Sequence, residues 1–298
     1  MELAFINAIL RSPGFPPHDP WLSGYSISYY YFGYVMTAML TRFSGISASI
    51  GFNLALAAWF AMASLGAFGL VFNLLQGSKN NSNDVNADYK NRSLFSAFWG
   101  PLFLLLISNL EGFLEMLHAR GIFWKQAADD TWQSSFWKWL DILELNRAPS
   151  TPFSWTPNRM GGIWWWRASR VLQDYDLSGN SKEIIDEFPF FSFLLGDLHP
   201  HVLSIPFVLL GVGVGLNLYF SRNRWLPTGK GLFFSINAWM KNWGFPLQSL
   251  TLFKWLRKWE FWLIGMIFGG LAFLNIWDIL MGVGSLWGIR EELAIRLC

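Results

Sequence analysis

From Ser49 to Leu75 the sequence carries no charged side chain, a run longer than a helix needs to cross a lipid bilayer. A hydrocarbon core about 30 Å thick is spanned by roughly 20 apolar residues. The α-helix is the form that closes every backbone hydrogen bond within a single such segment. Two further stretches, Leu94–Leu110 and Val202–Phe220, are also free of charge, and Phe261–Ile289 contains only Asp278. Composition agrees with this. Hydrophobic residues make up 53% of the chain and charged ones 14%, where a soluble domain carries about 25% charged. So few charges cannot cover a water-facing surface. The 19 Trp and 28 Phe fit the same picture, since aromatic rings collect where helices leave hydrocarbon for the headgroup layer. The expected fold is all-α: a polytopic helical membrane protein with interfacial helices and a long extracytoplasmic loop, placed multi-pass in the cell membrane.

The formal net charge of +2 distinguishes no class of partner. The single cysteine, Cys298, excludes a disulfide framework or a CxxC metal site within the chain. The opening MELAFINAILR has too short an apolar run, with its positive charge after the run, to be a secretory signal. Its abrupt start, and the equally abrupt end at EELAIRLC soon after a membrane helix, lead us to expect a piece of a longer protein.

Charge between the apolar runs sets an expected orientation. Ser221–Trp259 holds seven Lys/Arg and no acid, which places it in the cytoplasm by the positive-inside rule. The polar loop Gly77–Arg92, with three basic residues, falls on the same side. The expected layout is an external segment 1–48, transmembrane helices 49–75, 94–117, 202–220 and 261–289, an extracytoplasmic segment 118–201 and a basic cytoplasmic loop 221–260. Ile27–Phe43 is short for a span and has Tyr29, Tyr30, Tyr31 and Tyr34 at one end and Arg42 at the other. Tyrosines at this density favour the interface, so a helix lying on the outer leaflet is expected. Gly211, Gly213 and Gly215 superficially resemble a phosphate loop, but they lie in an apolar run and follow no strand. Small residues four apart there point to close helix packing.

Four polar constellations stand out. In PPHDPWLSG, Pro16, Pro17 and Pro20 enclose His18 and Asp19; proline fixes φ and removes backbone donors, so this carboxylate belongs to a stiff loop. It could act as a base or simply begin a turn. In EFPFFSFLLGDLHPH, Glu187, Asp197, His199 and His201 are crowded among Phe, Leu and Pro immediately before an apolar run, where ionisable groups are costly and usually have a task or a partner. Asp197, His199 and His201 could offer a carboxylate and two imidazoles to a divalent metal, or the histidines could bond nearby backbone at the head of a helix. Asn109, Glu111 and Glu115 lie at the end of one apolar run, the two acids on one helix face, and are read as marking where the helix enters water. Asp278, beside Asn275 in FLNIWDIL, needs a partner or a cavity. Finally, IWWWRASR sets Trp164, Trp165 and Trp166 beside Arg167 and Arg170, a platform that could meet lipid phosphates through guanidinium. Its expected place on the outer membrane face argues against nucleic acid.

The runs DPWLSGYSISYYYFGY (Asp19–Tyr34), WWWRASR (Trp164–Arg170), EFPFFSFLLGDLHPH and LNIWD (Leu274–Asp278) resemble the YYY family of prokaryotic membrane proteins, domain of unknown function 2298. That family is uncharacterised, but is similar in organisation to the C-type glycosyltransferases, multi-pass enzymes that take sugar from a polyprenyl-phosphate donor. In those enzymes an acidic residue in the first external loop, followed by interfacial helices, serves catalysis. The resemblance therefore implies that Asp19 is catalytic and that Ile27–Phe43 is the interfacial helix. It also implies membrane helices before Met1 and after Cys298. The resulting expectation is an enzyme with Asp19, Glu187 and Asp197 in catalysis, and with His18, Tyr30, Arg167, Arg170, His199, His201 and Asp278 binding substrate. Its partners would be the bilayer and a polyprenyl-phosphate sugar donor. A transporter or channel is the rival, favoured by Asp278 but not by acids and histidines clustered at one end of the spans. A non-catalytic membrane scaffold is the third reading.

Overall fold

The computed structural model describes residues 1–77, 87–155, 164–172, 174–220 and 259–275. In chain order these form α1 (Glu2–Arg11), α2 (Phe32–Ser44), α3 (Ala48–Gly77), α4 (Ala87–Ala97), the short turn α5 (Trp99–Pro101) and a π-helix (Leu102–Ile107). Next come α6 (Glu111–Ala119), β1 (Lys125–Gln126), β2 (Trp132–Gln133), α7 (Ser135–Leu140), α8 (Trp164–Ala168), β3 (Asp174–Tyr175) and β4 (Ser181–Lys182). The series ends with α9 (Pro189–Leu195), α10 (Pro200–Phe220) and α11 (Trp259–Leu274). The strands form two small antiparallel hairpins, β1 with β2 and β3 with β4, so the described chain is mostly helical. Asp278 and most of the basic 221–260 loop lie outside the described residues.

The chain divides into two units, Met1–Pro101 with Asp197–Cys298, and Leu102–Gly196. Among the described residues, α3 and the first 18 residues of α10 are each long and apolar enough to cross a membrane. A third crossing results if Arg92–Ile107 and Glu111–Ala119, which pass the test only together and bend sharply at their junction, count as one span. The break within the expected 94–117 helix has a local cause. Ser108 takes a positive φ of 54°, and its N–H donates to Phe103 O at 2.8 Å, five residues back, which closes the wide π turn. Asn109 Oδ1 then accepts from Glu111 N at 3.1 Å and starts α6.

In the first unit, α3 buries Gly51, Ala55, Trp59, Ala63 and Ala67. These recur every four residues, and the mostly small side chains let neighbouring backbones come close. Trp59 Nε1 donates to Leu203 O on α10 at 2.9 Å, fixing how these two helices pack. A Cβ on Gly66 would stand 3.0 Å from Leu209 Cδ1 on α10. Gly211 and Gly215 of α10 are buried, as close packing requires. The tyrosine-rich segment becomes helical only at Phe32, where α2 begins. Its 13 residues rise about 20 Å, too short to cross hydrocarbon alone. This helix buries Gly33, Tyr34, Val35, Thr37, Ala38 and Thr41 and ends at Gly45 in the left-handed conformation, φ 66°. Arg42, in its last turn, donates from Nη2 to Leu10 O at 2.6 Å, joining it to the end of α1.

The second unit has two aromatic cores. Trp124, Trp137 and Leu145 are buried together with Leu114, Leu117, Trp132 and Phe136 around them. The other core is Ala168, Phe188 and Phe191, packed by Trp164, Trp165, Trp166 and Phe190. Trp164 stacks on Phe190 with centroids 5.5 Å apart. The three tryptophans thus fasten α8 to the segment around α9, a packing role that their run alone does not reveal.

Candidate functional site

Each unit gathers part of the expected site. In the first, the loop carrying His18 and Asp19 is a backbone-bonded hairpin. Asp19 N donates to Tyr25 O at 2.9 Å and Ile27 N to Pro17 O at 3.0 Å. Asp19 Oδ1 accepts from Trp21 N at 2.8 Å and Leu22 N at 2.9 Å. The carboxylate therefore does begin a turn, and that turn fixes its orientation; Asp19 is half-buried and His18 exposed.

Helix α1 carries this loop on its inner face. Phe5 lies 5.2 Å from Trp21, 5.7 Å from Tyr29 and 5.4 Å from Tyr34, centroid to centroid. Tyr29 in turn meets Tyr30 at 5.9 Å, which places Tyr30 at the rim of this aromatic group. One helical turn before Phe5, on the same face, is Glu2, only 8% exposed. Its Oε1 is 3.4 Å from His199 Nδ1, and Asp197 Oδ1 is 2.5 Å from the same nitrogen. The α-amino group of Met1 is 3.3 Å from Glu2 Oε2.

The local chain explains how Asp197 and His199 converge. Gly196 ends α9 in the left-handed conformation, φ 69°. The next residues run without helical bonding until Pro200, a residue suited to the first helical position. His199 O accepts from Leu203 N at 3.0 Å and so sits at the head of α10. His201 is already within the helix, half-buried, its ring centroid 6.0 Å from that of His199. The donor that joins Asp197 and His199 is therefore Glu2, which the sequence reading did not select.

In the second unit, α6 presents Glu111, Glu115 and His118 on one face, and all three are buried, at 5%, 1% and 2% exposure. The expectation that Glu111 and Glu115 mark entry into water is corrected. Arg167 supplies the compensating charge: its Nε donates to Glu115 Oε1 and its Nη1 to Glu144 Oε2 at 2.8 Å. Burial alone would lower the Arg167 pKa, but the hydrogen bonds and charges of Glu144 and Glu115 outweigh it and hold it above its ordinary value. Arg170 lies 3.8 Å over the ring of Trp166, pairs through Nε with Glu183, and donates to Ser169 Oγ at 2.7 Å. A cavity of about 390 Å³ opens here, lined among others by Glu111, Glu144, Trp166, Arg167, Arg170 and Lys182. Its floor mixes cations, carboxylates and an indole, as a site for a charged polar ligand needs. Glu187 also belongs to this unit and is exposed. His118 is structural: Nε2 is 2.7 Å from Arg147 O, and the ring meets Trp124 and Trp137 edge-on.

Long apolar helices, with buried acids and histidines at helix ends, define a helical membrane protein. Residues 1–289 match the family described as Uncharacterized membrane protein (DUF2298), and the chain belongs to that family. No curated protein and no solved structure matches the chain.

Proposed function

We propose that the protein is a multi-pass membrane glycosyltransferase that moves a sugar from a polyprenyl-phosphate-linked donor to an acceptor at the outer face of the cell membrane. The observation that carries this reading is the arrangement on α1. Phe5 holds the Asp19 loop through Trp21, and Glu2, one turn away, holds His199 and Asp197 at the head of an apolar helix. A sparsely charged chain has thus concentrated acids and imidazoles at one helix end. Asp19 acts as the general base, taking the proton from an acceptor hydroxyl. That oxygen bonds to the anomeric carbon, the bond from this carbon to the phosphate oxygen breaks, and polyprenyl phosphate leaves. His18 and Tyr30 flank the base and meet sugar hydroxyls. Within their own cavity in the second unit, Arg167 and Arg170 can meet a phosphate by exchanging the exposed partners Glu144 and Glu183 for it. In this topology 1–48 and 118–201 are outside and 221–260 is cytoplasmic.

The test is Asp19→Asn in the full-length protein, reconstituted in proteoliposomes with a labelled polyprenyl-phosphate sugar. An amide oxygen still accepts from Trp21 N and Leu22 N, so the turn survives while the base is lost. Transfer should fall by at least about 100-fold; transfer at the wild-type rate overturns the assignment.

A further inference from the structure

We infer that Glu2, Asp197 and His199 form a binding site for one divalent transition-metal ion, of the zinc or manganese kind. Glu2, Asp197 and His199 each offer one donor atom, and these atoms lie within 4.8 Å of one another. They arrive from separate parts of the chain, α1 on one side and the head of α10 on the other. This convergence is a product of the fold and not of a local acidic run.

Charge and chemistry favour an ion at this point. Glu2 is 8% exposed; its Oε2 meets the Met1 amine at 3.3 Å, while its Oε1 is turned to His199. A neutral imidazole has a single N–H, so Nδ1 cannot satisfy both carboxylates that approach it, at 2.5 Å and 3.4 Å. A metal ion replaces that proton and serves all three donors at once. Ligand bonds of about 2.1 Å in tetrahedral geometry set donors roughly 3.4 Å apart. The Glu2–His199 separation of 3.4 Å already equals this. Asp197 Oδ1, at 2.5 Å, would stand about 0.9 Å further from Nδ1 with an ion between them. One imidazole with two carboxylates is a donor set for zinc or manganese, more than for copper or an iron–sulfur cluster. Three protein donors leave positions for water or a phosphoryl oxygen, as in catalytic metal sites. Through that open position the site would serve the donor-phosphate chemistry proposed above, but metal binding itself does not depend on that reading.

The measurement is titration of Mn²⁺ into chelator-treated, detergent-solubilised full-length protein, read by the loss of the free-ion electron paramagnetic resonance signal, with Zn²⁺ as competitor. One saturable Mn²⁺ site per chain, emptied by Zn²⁺, is expected. Glu2→Gln and His199→Ala should each weaken it at least about tenfold, while His201→Ala and Asp19→Asn leave it unchanged. Helical circular dichroism confirms that each variant is folded. The wild-type protein alone can overturn the proposal, by showing no saturable site; so can a Glu2→Gln variant that binds as wild type, or a His201→Ala variant that loses as much as His199→Ala. Binding retained in an Asp19→Asn protein with undiminished sugar transfer would refute the general base and leave the metal site standing.

Discussion

Arg167 donates to Glu115 from 52 positions further along the chain, and the side chains of this pair are 11% and 2% exposed. Glu115 would be untenable in α6 without it. Removing one partner of a buried pair leaves the other charge uncompensated, which typically costs 3–5 kcal/mol. Arg167→Ala, which strands the buried Glu115, should therefore lower the thermal midpoint of the detergent-solubilised protein sharply. Glu144, 47% exposed, is the second partner of the same guanidinium and contributes at most about 1 kcal/mol, so Glu144→Gln should barely move that midpoint. Equal effects of the two variants would contradict this division.

Close helix packing in the first unit makes a steric prediction. A Cβ on Gly100 would stand 2.7 Å from the carbonyl oxygen and 2.9 Å from the carbonyl carbon of Ala67 on α3. Backbone cannot give way as a flexible side chain can, so Gly100→Ala should destabilise by about 1–3 kcal/mol. Gly66→Ala meets Leu209 at Cδ1, 3.0 Å, and at Cβ, 3.1 Å, both looser than the Gly100 contacts, and should be the milder of the two. Thermal unfolding followed by tryptophan fluorescence ranks them.

The Asp19 turn separates geometry from chemistry. Its Oδ1 holds two backbone amides, Trp21 N and Leu22 N, so Asp19→Ala should loosen the loop by about 1 kcal/mol, whereas Asp19→Asn keeps both bonds. Limited proteolysis should cut near Pro20 faster in the alanine variant than in the asparagine variant. Matching cleavage rates would show that the turn does not need this side chain.

The β3–β4 hairpin should be acid-sensitive. Asp176 is held below its ordinary pKa of 3.8 by the side chain and backbone of Asn180, then by the Ser178 and Gly179 amides. A carboxylate with a lowered folded pKa contributes stability that is present above the ordinary value and lost as pH falls through the folded one. The protection of the Ser178 and Asn180 amides, taken against the intrinsic exchange rate at each pH, should therefore hold at neutral pH and fall only below the ordinary value. Asp176→Ala should lack that protection at every pH; its loss already at pH 6 in the wild-type protein would point to another group.

Much of the fold is legible in particular residues. The uncharged run of α3 and the apolar run of α10 are long enough that no arrangement except a helix in an apolar environment satisfies their backbones. Gly45, Gly196 and Pro200 mark helix ends by φ preferences that glycine and proline carry wherever they occur. The break after Leu102–Ile107 was not legible, because a π turn at Ser108 has no periodicity signature in an apolar run. Trp164–Trp166 gave their position but not their partners, since an exposed interfacial tryptophan and one packed on phenylalanine look alike in sequence.

What the sequence by itself determined is therefore the class of molecule, through charge density and run length, and the identity of its costly polar groups. Only the tertiary structure decided which of these groups meet. Glu2 reads as an ordinary acid at the start of an amphipathic helix, and it becomes a partner of His199 and Asp197 because the packing of α1 on α2 and α3 brings its first turn to them. Glu115 and Arg167 likewise pair only once α6 and α8 are brought together. The reason is physical: hydrophobicity acts locally and without direction, so it can be read along the chain. Ion pairs and ligand sets depend on distances of a few ångströms between distant segments, and only packing fixes those.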